Sequence, residues 1–229
     1  MRYGVKRFCQ YTGIALLLVG SLAAQYGAAL EENPIAVALQ SSVQKYVDIL
    51  SEAAEQNPTK NTFRRIMKPY VTDLPGVRAA TLLDPDFKIR QVYFRRHFAG
   101  IGYDVKSQDV MKSFFTMMTQ KPEPQISGPT LPKLLRPSFV ALRHPIMRDN
   151  SLTGVLTMFI ATDTLLAQAG LLDGTAYRIT SPDVGVVSKG TLSEHCQKTV
   201  IPLPSTQWTI EYDSTNTYKT PNREESSHE

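Results

Sequence analysis

The stretch RPSFVALRHPIMRDNSLTGVLTMFIATDTLL, residues 136–166, has the strongest local pattern in the chain. Two apolar runs flank residues 148–151, which are rich in the turn-forming residues Asp, Asn and Ser. This arrangement predicts two antiparallel strands joined by a turn. The second run, residues 155–160, is apolar on both alternating faces, as a central strand covered on both sides should be. The first run carries Arg143 and His144 in its middle, and a buried cation is costly unless it is paired or faces a polar cavity.

The first 30 residues have the composition of an export signal. Arg2, Lys6 and Arg7 precede the apolar run GIALLLVGSLAA, and small residues follow it, which is the order of a secretory signal. The apolar run is short for a membrane helix, but residues 11–30 together are long enough to span a bilayer. We therefore expect residues 1–30 to direct export, either as a signal peptide or as an uncleaved membrane anchor.

Composition and charge exclude several classes of protein. The 229-residue chain is 42% hydrophobic and 20% charged, which is typical of a globular protein. Its net charge is +4, and removal of the three leader cations leaves +1, so nucleic acid is not an expected partner. If the leader is removed, Cys196 is the only cysteine left, and one thiol cannot form an internal disulfide. No Cys or His spacing typical of a metal site occurs, and we expect neither a metal nor a cofactor.

Helical periodicity appears at three places before the hairpin. Residues 34–56 have apolar side chains along one helical face, with Asn33 as the N-cap and Pro34 at the first helical position. Residues 60–71 predict a second, shorter helix, and residues 107–121 predict a third.

Strand-like runs occur on both sides of the hairpin. Residues 76–84 and 88–98 form two β-like runs joined by a turn, and four further short runs follow residue 174. The Pro-rich residues 122–137 are predicted as a connection. Residues 162–170 predict a short helix capped by Thr162 or Asp163. Runs of antiparallel strands with helices set to one side predict the α+β class.

This order of elements resembles an extracytoplasmic Cache domain, a PAS-like sensor fold of bacterial chemoreceptors and histidine kinases. The residues that carry the resemblance are SGP, a charged strand ending in HPI, a polar turn and TGVLTMFIATDTLL. The resemblance implies a PAS-like central antiparallel sheet with the long N-terminal helix packed on one face and a small-ligand pocket on the other. It predicts a ligand-binding domain over residues 31–215 and leaves residues 216–229 as a polar, disordered tail.

One residue departs from the family pattern. Many members that bind amino acids carry an Asp in the Gly-Val-Leu strand that receives the ligand's amine, and the matching position here holds Phe159. A phenyl ring cannot receive an ammonium by charge, whereas arginine forks suit carboxylates. The predicted ligand-binding residues are Tyr93, Arg95, Arg136, Arg143, His144, Thr157 and Phe159. The alternative is that Tyr93 and these cations only pack, pair within the fold or lie in solvent.

Two functions remain open from the sequence. The first is a small-ligand sensor, for a small carboxylate, that lies in the periplasm or is anchored to the inner membrane facing it. Such a sensor needs a separate membrane signalling protein as partner, and the long N-terminal helix offers a surface for a homodimer. The second is an accessory or structural envelope protein that uses a PAS-like fold for protein–protein contact. An enzyme is not expected, because no catalytic constellation emerges.

Overall fold

Two antiparallel sheets and four α-helices make up the part of the chain that the structure describes. The computed structural model describes residues 33–94, 101–107, 109–130, 138–171, 174–183 and 185–213. The helices are α1 (Pro34–Glu55), α2 (Phe63–Asp73), α3 (Asp109–Gln120) and α4 (Thr162–Gln168). The strands are β1 (Val77–Leu83), β2 (Ile89–Phe94), β3 (Gln125–Thr130), β4 (Phe139–Arg148), β5 (Ser151–Ala161), β6 (Tyr177–Ser181), β7 (Gly185–Lys189), β8 (Gln197–Leu203) and β9 (Thr206–Tyr212). The predicted leader, residues 1–30, and the predicted tail, residues 216–229, lie outside these ranges.

The first sheet has five strands in the order β2-β1-β5-β4-β3, with every neighbouring pair antiparallel. Its centre is the predicted hairpin, in which β4 and β5 pair over their whole length. The connecting residues Asp149 and Asn150 have φ angles of 48° and 59°. Asn and Asp tolerate this left-handed conformation, and two such residues make the turn whose twist matches a hairpin.

Each face of this sheet is covered by a different helix. Val140, Leu142 and Ile146 of β4 pack in one core with Leu39 and Leu50 of α1. On the other face, Leu83 and Val155 pack in a second, smaller core with three residues of α3, which are Phe114, Phe115 and Met118. Both faces of the hairpin are buried, which explains why most of its side chains are apolar at both alternating positions.

The chain enters α1 through a side-chain cap. The Asn33 Oδ1 atom accepts hydrogen bonds from the backbone N–H groups of Ile35 and Ala36, both at 3.1 Å. These bonds satisfy donors that have no partner inside the helix. The buried residues of α1 recur every three or four positions and lie against the sheet, so α1 is the long packed helix that the sequence predicts.

The second sheet has four strands in the order β7-β6-β9-β8. Trp208 of β9 is 0% exposed and belongs to the same core as α1, so one continuous core joins the two sheets. Edge strand β3 also contacts the second sheet. The Ile126 N–H donates to the Pro204 carbonyl at 3.2 Å, and the Gly128 N–H donates to Asp183 Oδ2 at 3.2 Å.

The α+β class and the packing of the long helix on a central antiparallel sheet are confirmed, with three differences of detail. Strand β3 lies within residues 122–137, which the sequence predicts as a connection. The last four strands form a sheet of their own. Helix α4 begins after Ala161 with no side-chain cap from the described residues, so the predicted cap by Thr162 or Asp163 is wrong. Within the described ranges, no helix is long and apolar enough to cross a membrane.

Candidate ligand-binding site

A row of buried polar side chains crosses the sheet face that α3 covers. In the strand register, Arg143 lies opposite Gln125 on one side and opposite Thr157 on the other, and Thr157 lies opposite Thr81. Residues directly opposite in an antiparallel ladder point to the same face, with Cβ atoms about 4.5–5.5 Å apart. All four are buried. We call Gln125, Arg143, Thr157 and Thr81 the polar row.

Arg143 is the only charged residue of the polar row, and it is 6% exposed. Its Nη1 donates to Ser127 Oγ at 2.5 Å. Its guanidinium carbon lies 4.4 Å from the centre of the Phe114 ring and 6.0 Å from that of Phe115. A guanidinium has five N–H donors, and no carboxylate of the described chain lies within 4 Å of it. The charge is thus held by one hydroxyl and by the faces of two aromatic rings.

Burial has an electrostatic consequence for Arg143. Desolvation lowers the pKa of its guanidinium to about 10, and the charge of Asp183 opposes that shift. Asp183 stands in the β6–β7 turn of the second sheet, where it accepts hydrogen bonds from the Gly128 N–H and from the Ser181 hydroxyl. Arg143 remains cationic at neutral pH, and its own neighbours compensate the charge only in part.

The remaining members of the polar row differ in how well they are satisfied. Thr157 Oγ1 is fully buried and has no hydrogen-bond partner in the described part of the chain. Gln125 is directed at α3: in one orientation its amide nitrogen lies 3.2 Å from the Phe114 carbonyl oxygen, and its oxygen lies 3.2 Å from the Met118 nitrogen. Buried polar atoms normally have a partner, so the unpartnered hydroxyl next to Arg143 marks the centre of the candidate site.

An apolar platform adjoins the polar row on the same face. Phe159, two residues beyond Thr157 on β5, lies opposite Ala79 and Ala141. Its ring packs edge-on against that of Phe139, with the ring centres 5.2 Å apart. The small side chains of the two alanines leave the Phe159 ring as the largest side chain between β1 and β4 in this row.

The structure brings together three of the seven predicted site residues, which are Arg143, Thr157 and Phe159. His144 lies on the opposite face with Leu142 and Ile146, and its Nδ1 is 2.8 Å from the Pro145 carbonyl oxygen. Tyr93 is on that opposite face as well.

Tyr93 pairs with the buried Ala80, and the guanidinium carbon of Arg64 lies 5.7 Å from its ring centre. Neither Tyr93 nor His144 therefore lines the polar row. Arg95 and Arg136 lie outside the described residues, so their part in the site stays a prediction.

Sequence reasoning missed four residues of this region, which are Thr81, Gln125, Ser127 and Asp183. Alternation along β1 puts Thr81 on a predictable face, but its alignment with Thr157 depends on the strand register. Ser127 belongs to the SGP segment, whose strand character is hidden by Gly128 and Pro129. No local pattern connects Asp183 to Arg143, because the two residues belong to different sheets.

Two cavities of the described chain lie away from the polar row. One of about 900 Å³ runs along the outer side of α1 beside residues 202–204, and one of about 530 Å³ lies at the turn end of the first sheet. The described residues that cover Arg143 are the aromatic side chains of α3. No group of three or more His, Cys, Asp or Glu side chains in the described ranges is placed to hold a metal ion.

Several solved structures with a similar fold are ligand-binding domains of chemoreceptors. The chain is similar to the ligand-binding domain of the Pseudomonas aeruginosa PAO1 amino acid chemoreceptor PctB in complex with L-Arg, with a TM-score of 0.58 and 11% identity, over 81% of this chain and 93% of that one. It is also similar to the ligand-binding domain of the Pseudomonas fluorescens chemoreceptor CtaA in complex with L-isoleucine, with a TM-score of 0.56 and 15% identity, over 90% and 95% of the two chains.

A third similar structure belongs to a longer protein. It is an extracellular ligand binding receptor from Desulfohalobium retbaense, with a TM-score of 0.51 and 14% identity, over 76% of this chain and 39% of that one. No protein-family model matches the chain, and no curated protein matches it significantly. The likeness is therefore one of fold, and the fold is that of the extracytoplasmic Cache, PAS-like sensor domains, as the sequence resemblance predicts.

Proposed function

We propose that this protein is an extracytoplasmic sensor module that binds a small carboxylate on the polar row. The observation that carries the proposal is the buried Arg143 guanidinium, which has no carboxylate partner within 4 Å in the described chain and lies opposite the unpartnered Thr157 hydroxyl. A ligand anion supplies what both groups lack, because it accepts hydrogen bonds from the guanidinium fork and from the hydroxyl together.

The neighbouring side chains define the rest of the ligand. Phe159 and the alanines beside it form an apolar surface two residues along the strands from Arg143 and Thr157. This surface suits a short apolar group attached to the carboxylate. The amino acids named with PctB and CtaA have a carboxylate as well as an ammonium. Asp183, the acid whose charge reaches Arg143, already accepts from Ser181 and Gly128. An ammonium thus has no vacant acidic partner among the described residues of the row, and we propose a carboxylate that needs none.

Ligand entry in this proposal involves α3. Phe114 and Phe115 lie over the guanidinium, so an anion that binds Arg143 takes the place of at least one ring. Binding then moves α3 relative to the sheet. A sensor needs such a change, because ligand binding must alter the position of a structural element. We propose no catalytic role for any of these residues.

The route of the signal is also part of the proposal. The sensor passes its state to a separate membrane signalling protein, and α1 provides the contact surface for a homodimer. Residues 1–30 take the domain out of the cytoplasm as a signal peptide or an anchor. Fractionation of cells that express a C-terminally tagged full-length chain tests the last point, and recovery of most of the protein in the cytosol contradicts it.

A charge-matched thermal-shift series tests the function itself. The full-length chain is heated with straight-chain carboxylates of two to six carbons and with the amines of the same lengths. A ligand at about 100 times its Kd stabilises the folded state by about 2.7 kcal/mol, and we expect such a shift from one or more carboxylates and from no amine. If no carboxylate stabilises the chain, Arg143 is a structural residue, and the accessory protein with a PAS-like contact surface becomes the better description.

A further inference from the structure

A second cleft opens at the turn end of the five-stranded sheet. It has a volume of about 530 Å³ and is bounded by the α1–α2 connection, the β1–β2 turn, the end of the β4–β5 hairpin and residues 101–102. Small-molecule sites commonly have volumes of about 300–1,000 Å³ and are often built from loops on a rigid scaffold. Arg143 is not among the residues that line this cleft, so it is distinct from the polar row.

The inner wall of the cleft is apolar. Leu82, Leu83 and Ile146 line it and are themselves buried. Ile101 stands at the rim and is 65% exposed. Its position is held by the backbone, because the N–H of the next residue, Gly102, donates to the Ile89 carbonyl at 2.7 Å. A ligand that covers the Ile101 side chain removes apolar surface from water, which favours binding.

The charge around the cleft is positive. Four charged residues line it, and two of them, Arg90 and Asp84, pair with each other at 2.6 Å. The other two are Lys60 and Arg148, both exposed, and neither forms an ion pair within the described chain. Two cations that have no ion-pair partner among the described residues therefore flank an apolar wall.

We propose that this cleft is a second small-molecule site, which takes a monocarboxylate with a short alkyl chain. The carboxylate lies between Lys60 and Arg148, and the alkyl chain packs on Leu82, Ile146 and Ile101. This site goes beyond the sensor function of the polar row, since it has its own residues and remains when Arg143 is changed.

Ligand-observed NMR with hexanoate tests the second site. Kd is measured on the full-length chain that carries Arg143→Gln, so that the polar row does not contribute. Lys60→Gln and Arg148→Gln are then added together, and the matched control adds Arg65→Gln, which removes an exposed cation on α2. Lys60, Arg65 and Arg148 are exposed, so the added substitutions are not expected to unfold the Arg143→Gln protein, and the melting curve of each protein verifies that it is folded. Hexylammonium serves as the probe of opposite charge.

We expect hexanoate to bind saturably to Arg143→Gln and hexylammonium not to bind. Removing Lys60 and Arg148 together raises Kd about 3- to 25-fold, since each exposed charge contributes modestly, whereas Arg65→Gln leaves it unchanged. Ile101→Ser raises Kd about 2- to 5-fold. The proposal is wrong if hexanoate shows no saturable binding to Arg143→Gln, if hexylammonium binds equally well, or if the Lys60 and Arg148 changes have no more effect than Arg65→Gln.

Discussion

At the scale of single residues, Arg143 and His144 are neighbours with opposite environments. Successive side chains of a strand point to opposite faces, so Arg143 lies under α3 while His144 faces the side of the sheet on which α1 packs. The Arg143 charge is retained in a buried position by Ser127 and two phenyl rings. His144 lies in a half-buried position whose environment favours the neutral ring.

His144 gives the fold a pH dependence of defined sign. Burial lowers its pKa below the ordinary 6.5, against the opposing effects of the Pro145 carbonyl and of Glu55. Because the folded pKa is below the unfolded one, the unfolded chain binds the proton more readily between the two values, and stability is lost as the pH falls below about 6.5. We expect the unfolding free energy of His144→Gln to fall less than that of the parent between about pH 7.5 and about pH 5. Urea denaturation at both pH values measures this, and equal losses in the two proteins would exclude the effect.

The contact between Arg143 and Phe114 is testable by a double-mutant cycle. The guanidinium carbon lies 4.4 Å from the ring centre in a buried environment, so we expect a coupling free energy of about 0.5–2 kcal/mol. Arg143→Gln, Phe114→Leu and the double variant are compared by urea denaturation. A cycle between Arg65→Gln and Phe114→Leu is the control and should give no coupling. Strict additivity of Arg143→Gln and Phe114→Leu contradicts the contact.

At the scale of elements, α1 organises both sheets. Its buried side packs on the five-stranded sheet, for example on Leu142 of β4. The same core includes Trp208 of the four-stranded sheet. The opposite side is largely polar, with one exception near the N-terminus, where Val37 is 44% exposed. Truncation of a buried α1 residue should therefore affect the whole fold, and truncation of an exposed one should not.

Leu39 and Val37 form a matched pair for this test. Leu39 is 0% exposed, so Leu39→Ala leaves a cavity and should lower the unfolding free energy by about 2–5 kcal/mol. Val37→Ala on the same helix should change it by less than about 0.5 kcal/mol. Urea denaturation distinguishes the two, and similar effects of both substitutions would show that α1 does not pack as described.

Elements with a clear hydrophobic period could be predicted from the sequence. The α1 helix, the β4–β5 hairpin and the α3 helix all follow from local spacing. Strand β3 could not be predicted in this way. Its pairing partner, β4, follows only after residues 131–137, and Gly128 and Pro129 are typical of a connection. Proline is tolerated here because β3 is an edge strand and its register shifts between Ser127 and Thr130.

The candidate site was predictable to a similar extent. Alternation along the hairpin puts Arg143, Thr157 and Phe159 on one face, and the register confirms that they lie together. Alternation also shows that Arg143 and His144 point to opposite faces, so both could not line one pocket. Against the lowering by burial, the charge of Asp183, in the second sheet, raises the pKa of Arg143. Only the folded structure brings these two residues near each other.

At the scale of the whole molecule, the two sheets share one hydrophobic core. The core cluster that contains α1 includes residues of both sheets, and β3 bonds to the second sheet through Ile126 and Gly128. A continuous core favours a single cooperative transition.

The single tryptophan reports this cooperativity. Trp208 is the only Trp of the chain and lies buried in the second sheet, whereas far-UV circular dichroism reports mainly the helices packed on the first sheet. We expect the two signals to give the same urea midpoint, and Leu39→Ala to shift both by the same amount. Two separate midpoints would mean that the sheets unfold independently.

The most direct test of the carboxylate site is a calorimetric titration. The ligand is the carboxylate that gives the largest thermal shift, and the protein carries Lys60→Gln and Arg148→Gln so that the second cleft does not contribute. A buried charged hydrogen bond contributes about 1.5–3 kcal/mol, so adding Arg143→Gln should weaken binding by about 10- to 150-fold. Adding Arg65→Gln instead should leave it unchanged. An unchanged affinity in a folded Arg143→Gln protein would remove Arg143 from the site and contradict the proposed anion-binding row.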